Sequence, residues 1–149
     1  MNYLDTHEEL VAALSGLGRN LAAGGVAVFD MNTLATFRVL YSSLYAVPSQ
    51  DRIVLLEGRG DRKLAAGGAA EAWIDRLEPD ASGWWTRTRS KHHHRHHPEA
   101  AVRAALARAG LTVAEICGSH TTGVIETPLD ELIHAKAVYI TRHEALGDQ

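Results

Sequence analysis

The stretch LAAGGVAVFDMNT, Leu21 to Thr33, sets a helix end, a Gly-Gly stop, a short apolar strand and an acidic strand end in immediate succession. That order constrains the chain to an α/β domain, in which helices return the chain to successive strands of one sheet. Upstream, Thr6 and Glu9 have capping-box spacing, and Leu10, Leu14, Leu17 and Leu21 fall on one helical face. Gly24 and Gly25 are expected to end this helix by supplying a positive φ at its cap. Val26 to Phe29 is apolar without alternation, which predicts a parallel strand covered on both faces. Asn32 or Thr33 can cap a second helix through Leu34, Phe37, Leu40, Tyr41 and Leu44, ending before Pro48.

The pattern then changes. Ile53 to Leu56, Glu71 to Leu77 and Trp84 to Lys91 read as strands, the last two joined by the turn Asp80-Ala81-Ser82-Gly83. Residues 53–97 are therefore expected to form an antiparallel insertion. In its last strand Trp85, Arg87, Arg89 and Lys91 share a face, read as solvated, opposite Trp84, Thr86, Thr88 and Ser90. Pro98 opens a helix with Val102, Ala105, Leu106 and Ala109 inward, and Gly110 closes it. Thr112 to Cys117 and Lys136 to Thr141 are the final strands, joined by a loop long enough to rest over a site.

With 149 residues, 46% of them hydrophobic, the chain supports one core, so 1–149 is read as a single partial domain. A formal net charge of -3 gives no field to attract nucleic acid or an anionic membrane. The lone Cys117 excludes an intramolecular disulfide and a cysteine zinc cluster and fits a reducing compartment, so the expected location is cytoplasmic. No run approaches the ~20 apolar residues of a membrane span, and Met1 to Leu14 lacks the pattern of a leader.

Three segments, LAAGGVAVFDMNT at 21–33, HRHHPEAAVRAALARAGLTVAEICG at 94–118 and KAVYITR at 136–142, taken in order, resemble the carboxyl-terminal half of a class I S-adenosylmethionine-dependent methyltransferase of the small-molecule type. The opening NYLDTHEEL is similar to the family segment just after the fourth strand. The resemblance implies an α/β fold class: a partial Rossmann-like sheet of the last three strands, the final one antiparallel, with an antiparallel β insertion. Lys136 to Thr141 would then lie antiparallel between Val26 to Phe29 and Thr112 to Cys117.

S-adenosylmethionine is the cofactor implied, yet the family's cofactor loop and its ribose-binding acid belong to strands that would precede Leu21. No cofactor-binding residue is therefore assigned, and binding by this chain alone is not expected. The run Ile53 to Gly60 ends in Gly-x-Gly with Asp75 and Glu78 beyond, but Lys63 holds the third glycine position and Gly67-Gly68 interrupts the helix that should follow. It reads as a strand and turn.

In an open α/β sheet the ligand lies beyond the carboxyl ends of the strands. That rule selects Asp30 as the catalytic candidate, able to orient or deprotonate an acceptor, with Met31, Asn32 and Thr33 on the substrate side. The family alignment adds Asn2 and Tyr3, and it places His97 at a junction bordering the substrate cleft. His134 and His120, on or beside the late loop, are further possible bases. Alternate residues of His92-His93-His94-Arg95-His96-His97 can converge, but no acidic or cysteine ligand lies close in sequence, so no metal site is assigned.

The leading function is methyl transfer to a small-molecule acceptor by a truncated or split chain. Its expected partner is the small molecule, together with a missing amino-terminal half or a second copy in a homodimer. The alternative is a non-catalytic half-domain that dimerises or binds a partner through an exposed strand edge. A histidine-rich metal-binding protein comes third.

Overall fold

Thr6 caps the first helix, α1 (His7–Asn20), through the expected box: Glu9 N donates to Thr6 Oγ1 at 3.1 Å and Thr6 N donates to Glu9 Oε2 at 3.0 Å. The computed structural model describes residues 1–49 and 51–143. The helix ends at Asn20 instead of running to the glycines. Gly24, with φ of 71°, turns the chain between helix and strand, where only glycine takes that backbone without strain.

Strand β1 (Val26–Asn32) enters helix α2 (Leu34–Val39), and a 3-10 turn at Leu40–Ser42 leads into β2 (Leu44–Pro48). Leu44, expected as the last apolar position of a helix, instead begins a strand. Pro48 is tolerated because, among the described strands, β2 is an edge that pairs only with β3 (Ile53–Gly58). Strands β4 (Ala69–Pro79) and β5 (Trp85–Arg95) complete a four-stranded antiparallel sheet in the order β2-β3-β4-β5. Helix α3 (Glu99–Arg108) follows Pro98, and Gly110 at φ of 70° returns the chain to β6 (Leu111–Ser119). Short β7 (Ile125–Glu126) and β8 (Lys136–His143) end the described chain.

The second sheet has the order β1-β8-β6-β7. β8 runs antiparallel to both neighbours, pairing Phe29 with Tyr139 on one side and Ile116 with Tyr139 on the other. This is the inserted reversed strand that the family resemblance implied. Helices α1 and α3 cover one face of the sheet, where Leu10, Leu14, Met31, Leu106 and Tyr139 form the main core. Phe29 and Tyr139 stack there with centroids 5.1 Å apart.

β1 corrects one expectation. Ala27 and Met31 are buried, but Val26 and Val28 are 50% and 63% exposed on the other face. An apolar run without alternation suggested two-faced burial, whereas both packed helices lie on one side. Among the described strands, β1 also has a single neighbour, β8, which leaves its second edge unpaired.

The basic face of β5 is not simply solvated. Arg87 and Arg89 each make two hydrogen bonds to the Asp75 carboxylate, at 2.7 to 2.9 Å, and Lys91 pairs with Glu71 at 2.7 Å. The cross-strand register sets Arg89 directly opposite Asp75. The two guanidinium groups, Arg89 first, hold the Asp75 carboxyl well below the usual carboxylate range.

Candidate functional site

The two sheets meet at the carboxyl end of β1, and the amino-terminal segment fastens the joint. Asn2 is buried: its Nδ2 donates to the carbonyl of Arg95 at 3.0 Å, and its Oδ1 accepts from Asn32 N at 2.8 Å. One side chain thus links the end of β1 to the end of β5. Tyr3, next along, is exposed; its hydroxyl lies 2.6 Å from His92 Nδ1, and its ring meets His94 edge-on at 4.0 Å.

His92 and His94 project from the same face of β5, as strand alternation requires. That face packs against α2 and the turn after it through Ala70 and Ala72, which bury against Phe37 and Tyr41. Asn32 Nδ2 donates to the Tyr41 hydroxyl at 3.3 Å, and Tyr41 hydrogen-bonds His94 Nδ1. Burial, reinforced by the neighbouring His92, lowers the His94 pKa to about 4. Burial likewise pushes the Tyr41 phenol up to about 12. Near pH 7 both groups are neutral, and Asn32, Tyr41 and His94 form an uncharged hydrogen-bonded chain. With Tyr41 as donor, His94 carries its proton on Nε2, which is buried without a hydrogen-bond partner among the described residues.

Asn32 also lines a cleft of about 480 Å³ between β1, α2 and the 120–135 loop. Its walls are apolar at Ala35, Val39, Leu40 and Ile133, and Tyr45, His120, Thr121 and Lys136 supply polar groups. This is the mix of apolar lining and few convergent polar groups that small-ligand sites use.

The structure distributes the remaining sequence candidates around this centre. Asp30 is exposed on the open face and pairs with Lys136 Nζ at 3.0 Å. Met31 lies in the main core. Thr33 is buried, and its hydroxyl donates to the carbonyls of His134 and, at 3.2 Å, Ala135, tying the start of α2 to the late loop. His97 is buried with Nε2 2.9 Å from the Leu4 carbonyl, and burial lowers its pKa. His134 is buried against Glu126 and His120, away from Asn2 and Tyr3. Asn2, Tyr3 and Asn32 are therefore brought together. Tyr41, His94 and Tyr45 were missed, although strand alternation around His92 and His94 would have set both imidazoles on one face.

No protein-family model matches the sequence, and no curated protein matches it. Solved structures do match. One is a S-adenosylmethionine-dependent methyltransferase from Clostridium acetobutylicum, with TM-score 0.73 and 16% identity over 95% of this chain. Another is an amino pentose methyltransferase from Micromonospora echinaspora involved in calicheamicin biosynthesis, solved with S-adenosylmethionine bound, with TM-score 0.55 and 19% identity over 95% of this chain. The fold is that of a partial methyltransferase domain. A sugar N-methyltransferase from Streptoalloteichus is similar at TM-score 0.51 and 20% identity over 91% of the chain. The chain spans about half of these proteins, 53%, 53% and 49% of their lengths.

The methyl donor of this fold sits where backbone comes close to it at a glycine-bearing strand-to-helix junction, with an acid on its ribose. The junction after β1 carries no glycine, and its Thr33 is committed to loop carbonyls. Gly58 and Gly60 serve packing instead: a Cβ on Gly58 would fall 2.2 Å from the Tyr41 carbonyl carbon, and Gly60 N donates to Tyr41 O at 2.5 Å. Gly58 and Gly60 also lie between two strands, and the other strand-to-helix junction among the described residues, His96-His97-Pro98 after β5, carries no glycine, so neither junction fits the donor.

Proposed function

We infer that this chain forms the acceptor-binding side of a S-adenosylmethionine-dependent methyltransferase acting on a small hydroxylated or amino compound. The donor would be held by a strand-loop-helix half outside the described residues, as in a split or longer protein. The observation that carries this is the cleft at the carboxyl end of β1, where Asn32 belongs both to the cleft wall and to the neutral chain through Tyr41 and His94.

Methyl transfer from a sulfonium is an in-line displacement that leaves a neutral thioether and releases the acceptor's proton to solvent, so a protein accelerates it chiefly by alignment. Asn32, Tyr45 and Lys136 offer hydrogen bonds that would orient an acceptor, while Val39, Leu40 and Ile133 would keep water from one side. Asp30 acts through Lys136 as a positioning residue, fixing the ammonium at the cleft wall. The solved neighbours described as acting on an amino pentose and on a sugar nitrogen make amino sugars the first acceptors to try.

The test is a nuclear magnetic resonance titration with a panel of amino and hydroxy sugars. Saturable shifts at Asn32 and Tyr45, weakened about five- to thirtyfold in Asn32→Ala by loss of a hydrogen bond worth roughly 1–2 kcal/mol, are expected. Shifts unchanged by that substitution, or none from any acceptor, would remove the proposal.

The unpaired edge of β1 supports a second reading, in which the chain pairs with another strand instead of catalysing. Concentration-dependent dimerisation abolished by Val28→Lys is its signature in light scattering.

A further inference from the structure

The connection from β6 to β8 gathers three metal-ligating side chains that the acceptor cleft does not require together. His120 follows β6 directly, Glu126 ends β7, and His134 lies two residues before β8. Glu126 Oε2 lies 3.2 Å from His120 Nε2 and 3.4 Å from His134 Nε2, and the ligand atoms of all three fall within 4.8 Å of one another. Ligand bonds of about 2.0–2.1 Å around tetrahedral zinc imply ligand-to-ligand edges of about 3.3 Å. Two of the three edges already have that length.

The surroundings hold the histidines for this task. The imidazoles of His120 and His134 meet edge-on with centroids 4.7 Å apart. His134 is seated against Gly118, where a Cβ would fall 2.1 Å from its ring, so only glycine leaves the ring its place. His134 Nδ1 is within reach of both the amide and the carbonyl of Asp130, at 2.9 and 3.1 Å. A cation on Nε2 would select the tautomer in which Nδ1–H donates to that carbonyl, the usual backbone support of a ligating histidine. Without a cation, the amide can donate to Nδ1 while Nε2–H donates to Glu126.

We propose that His120, Glu126 and His134 form a site for one divalent transition-metal cation, Zn²⁺ by geometry and ligand type, leaving a fourth position for water. Two imidazoles and a carboxylate suit zinc and its borderline neighbours better than Mg²⁺ or Ca²⁺, which take oxygen ligands. The ion would fasten three points of the 120–135 connection. Because His120, Thr121, Ile133 and Ala135 on that connection line the cleft, the ion would also fix one cleft wall.

The exposed His93 and half-buried His92 of β5 are the competing binders, so the experiment separates the two. Zn²⁺ is titrated into the whole chain by calorimetry, and Co²⁺ absorption reports geometry. Variants are His120→Ala and Glu126→Gln, at positions exposed enough to keep the fold, against a double variant His92→Asn with His93→Asn. One equivalent of Zn²⁺ and an intense tetrahedral Co²⁺ spectrum are expected in the native chain and in the double variant. His120→Ala and Glu126→Gln should each weaken binding by more than the roughly 100-fold that loss of an outer-shell partner can cost. Binding unchanged in both of these, binding lost in the double variant, or no stoichiometric binding to the native chain would each overturn the site.

Discussion

Replacing Asn2 by alanine should loosen the joint between the two sheets without touching either core. The side chain donates to the Arg95 carbonyl at 3.0 Å and accepts from Asn32 N at 2.8 Å, while the backbone bond from Arg95 N to Asn2 O, 2.8 Å, would survive. The substitution leaves one backbone donor and one acceptor unpaired, each costing about 1–3 kcal/mol when water cannot replace the partner. Because both bonds are only partly buried, the lower end applies, about 2–4 kcal/mol in total. For a chain of this size each kcal/mol moves the midpoint by roughly 2–4 °C, so Tm should fall by roughly 5–15 °C. Thermal unfolding followed by far-ultraviolet circular dichroism measures this directly. Asn2→Asp sharpens it, since a carboxylate still accepts from Asn32 N but has no proton for the Arg95 carbonyl; it should also destabilise. A Tm within about 1 °C of the native value in Asn2→Ala would refute the fastening role, because even one unpaired group should cost more.

Three further outcomes follow from the packing and charges. Met31→Ala, which empties a position only 2% exposed, should cost about 2–5 kcal/mol in urea unfolding and leave acceptor-induced shifts at Tyr45 in place. Gly118→Ala should destabilise by about 1–3 kcal/mol by driving the His134 ring from its seat; unchanged stability would show that the ring moves freely. Asp75 has a folded pKa depressed below its unfolded value, so its contribution is present above the unfolded carboxylate range and lost as pH falls below it. Stability should therefore drop below about pH 4 in the native chain and more shallowly in Asp75→Asn, compared by urea midpoints across that range.

Most of the element order could be read from local chemistry. The capping box at Thr6 and Glu9, the Pro98 and Gly110 brackets of α3 and the turn at Asp80 to Gly83 each act within a few residues and appear where expected. The reversed β8 came from family resemblance, because antiparallel insertion between β1 and β6 depends on pairings over a hundred residues apart. β2 was hidden since Leu44 continues the apolar period of α2, while its pairing with Glu57 is a tertiary fact. Strand-end logic and resemblance single out Asn2, Tyr3 and Asn32, and the structure sets Asn2 on Asn32 N and Tyr3 against His92 at the joint between the sheets. Tyr41 and His94 lie 53 residues apart and meet only because the insertion folds over α2. His120, Glu126 and His134 form no compact motif, and the loop's path alone brings them together.

On the proposed reading, this chain carries the acceptor side of a methyltransferase and does not itself hold the donor. Calorimetric titration of the chain with S-adenosylmethionine tests that division most directly. No saturable heat is expected with the donor at up to about 1 mM, where a site of useful affinity would fill. Tight binding at one equivalent would contradict it and would place a donor site among residues to which no such role has been given.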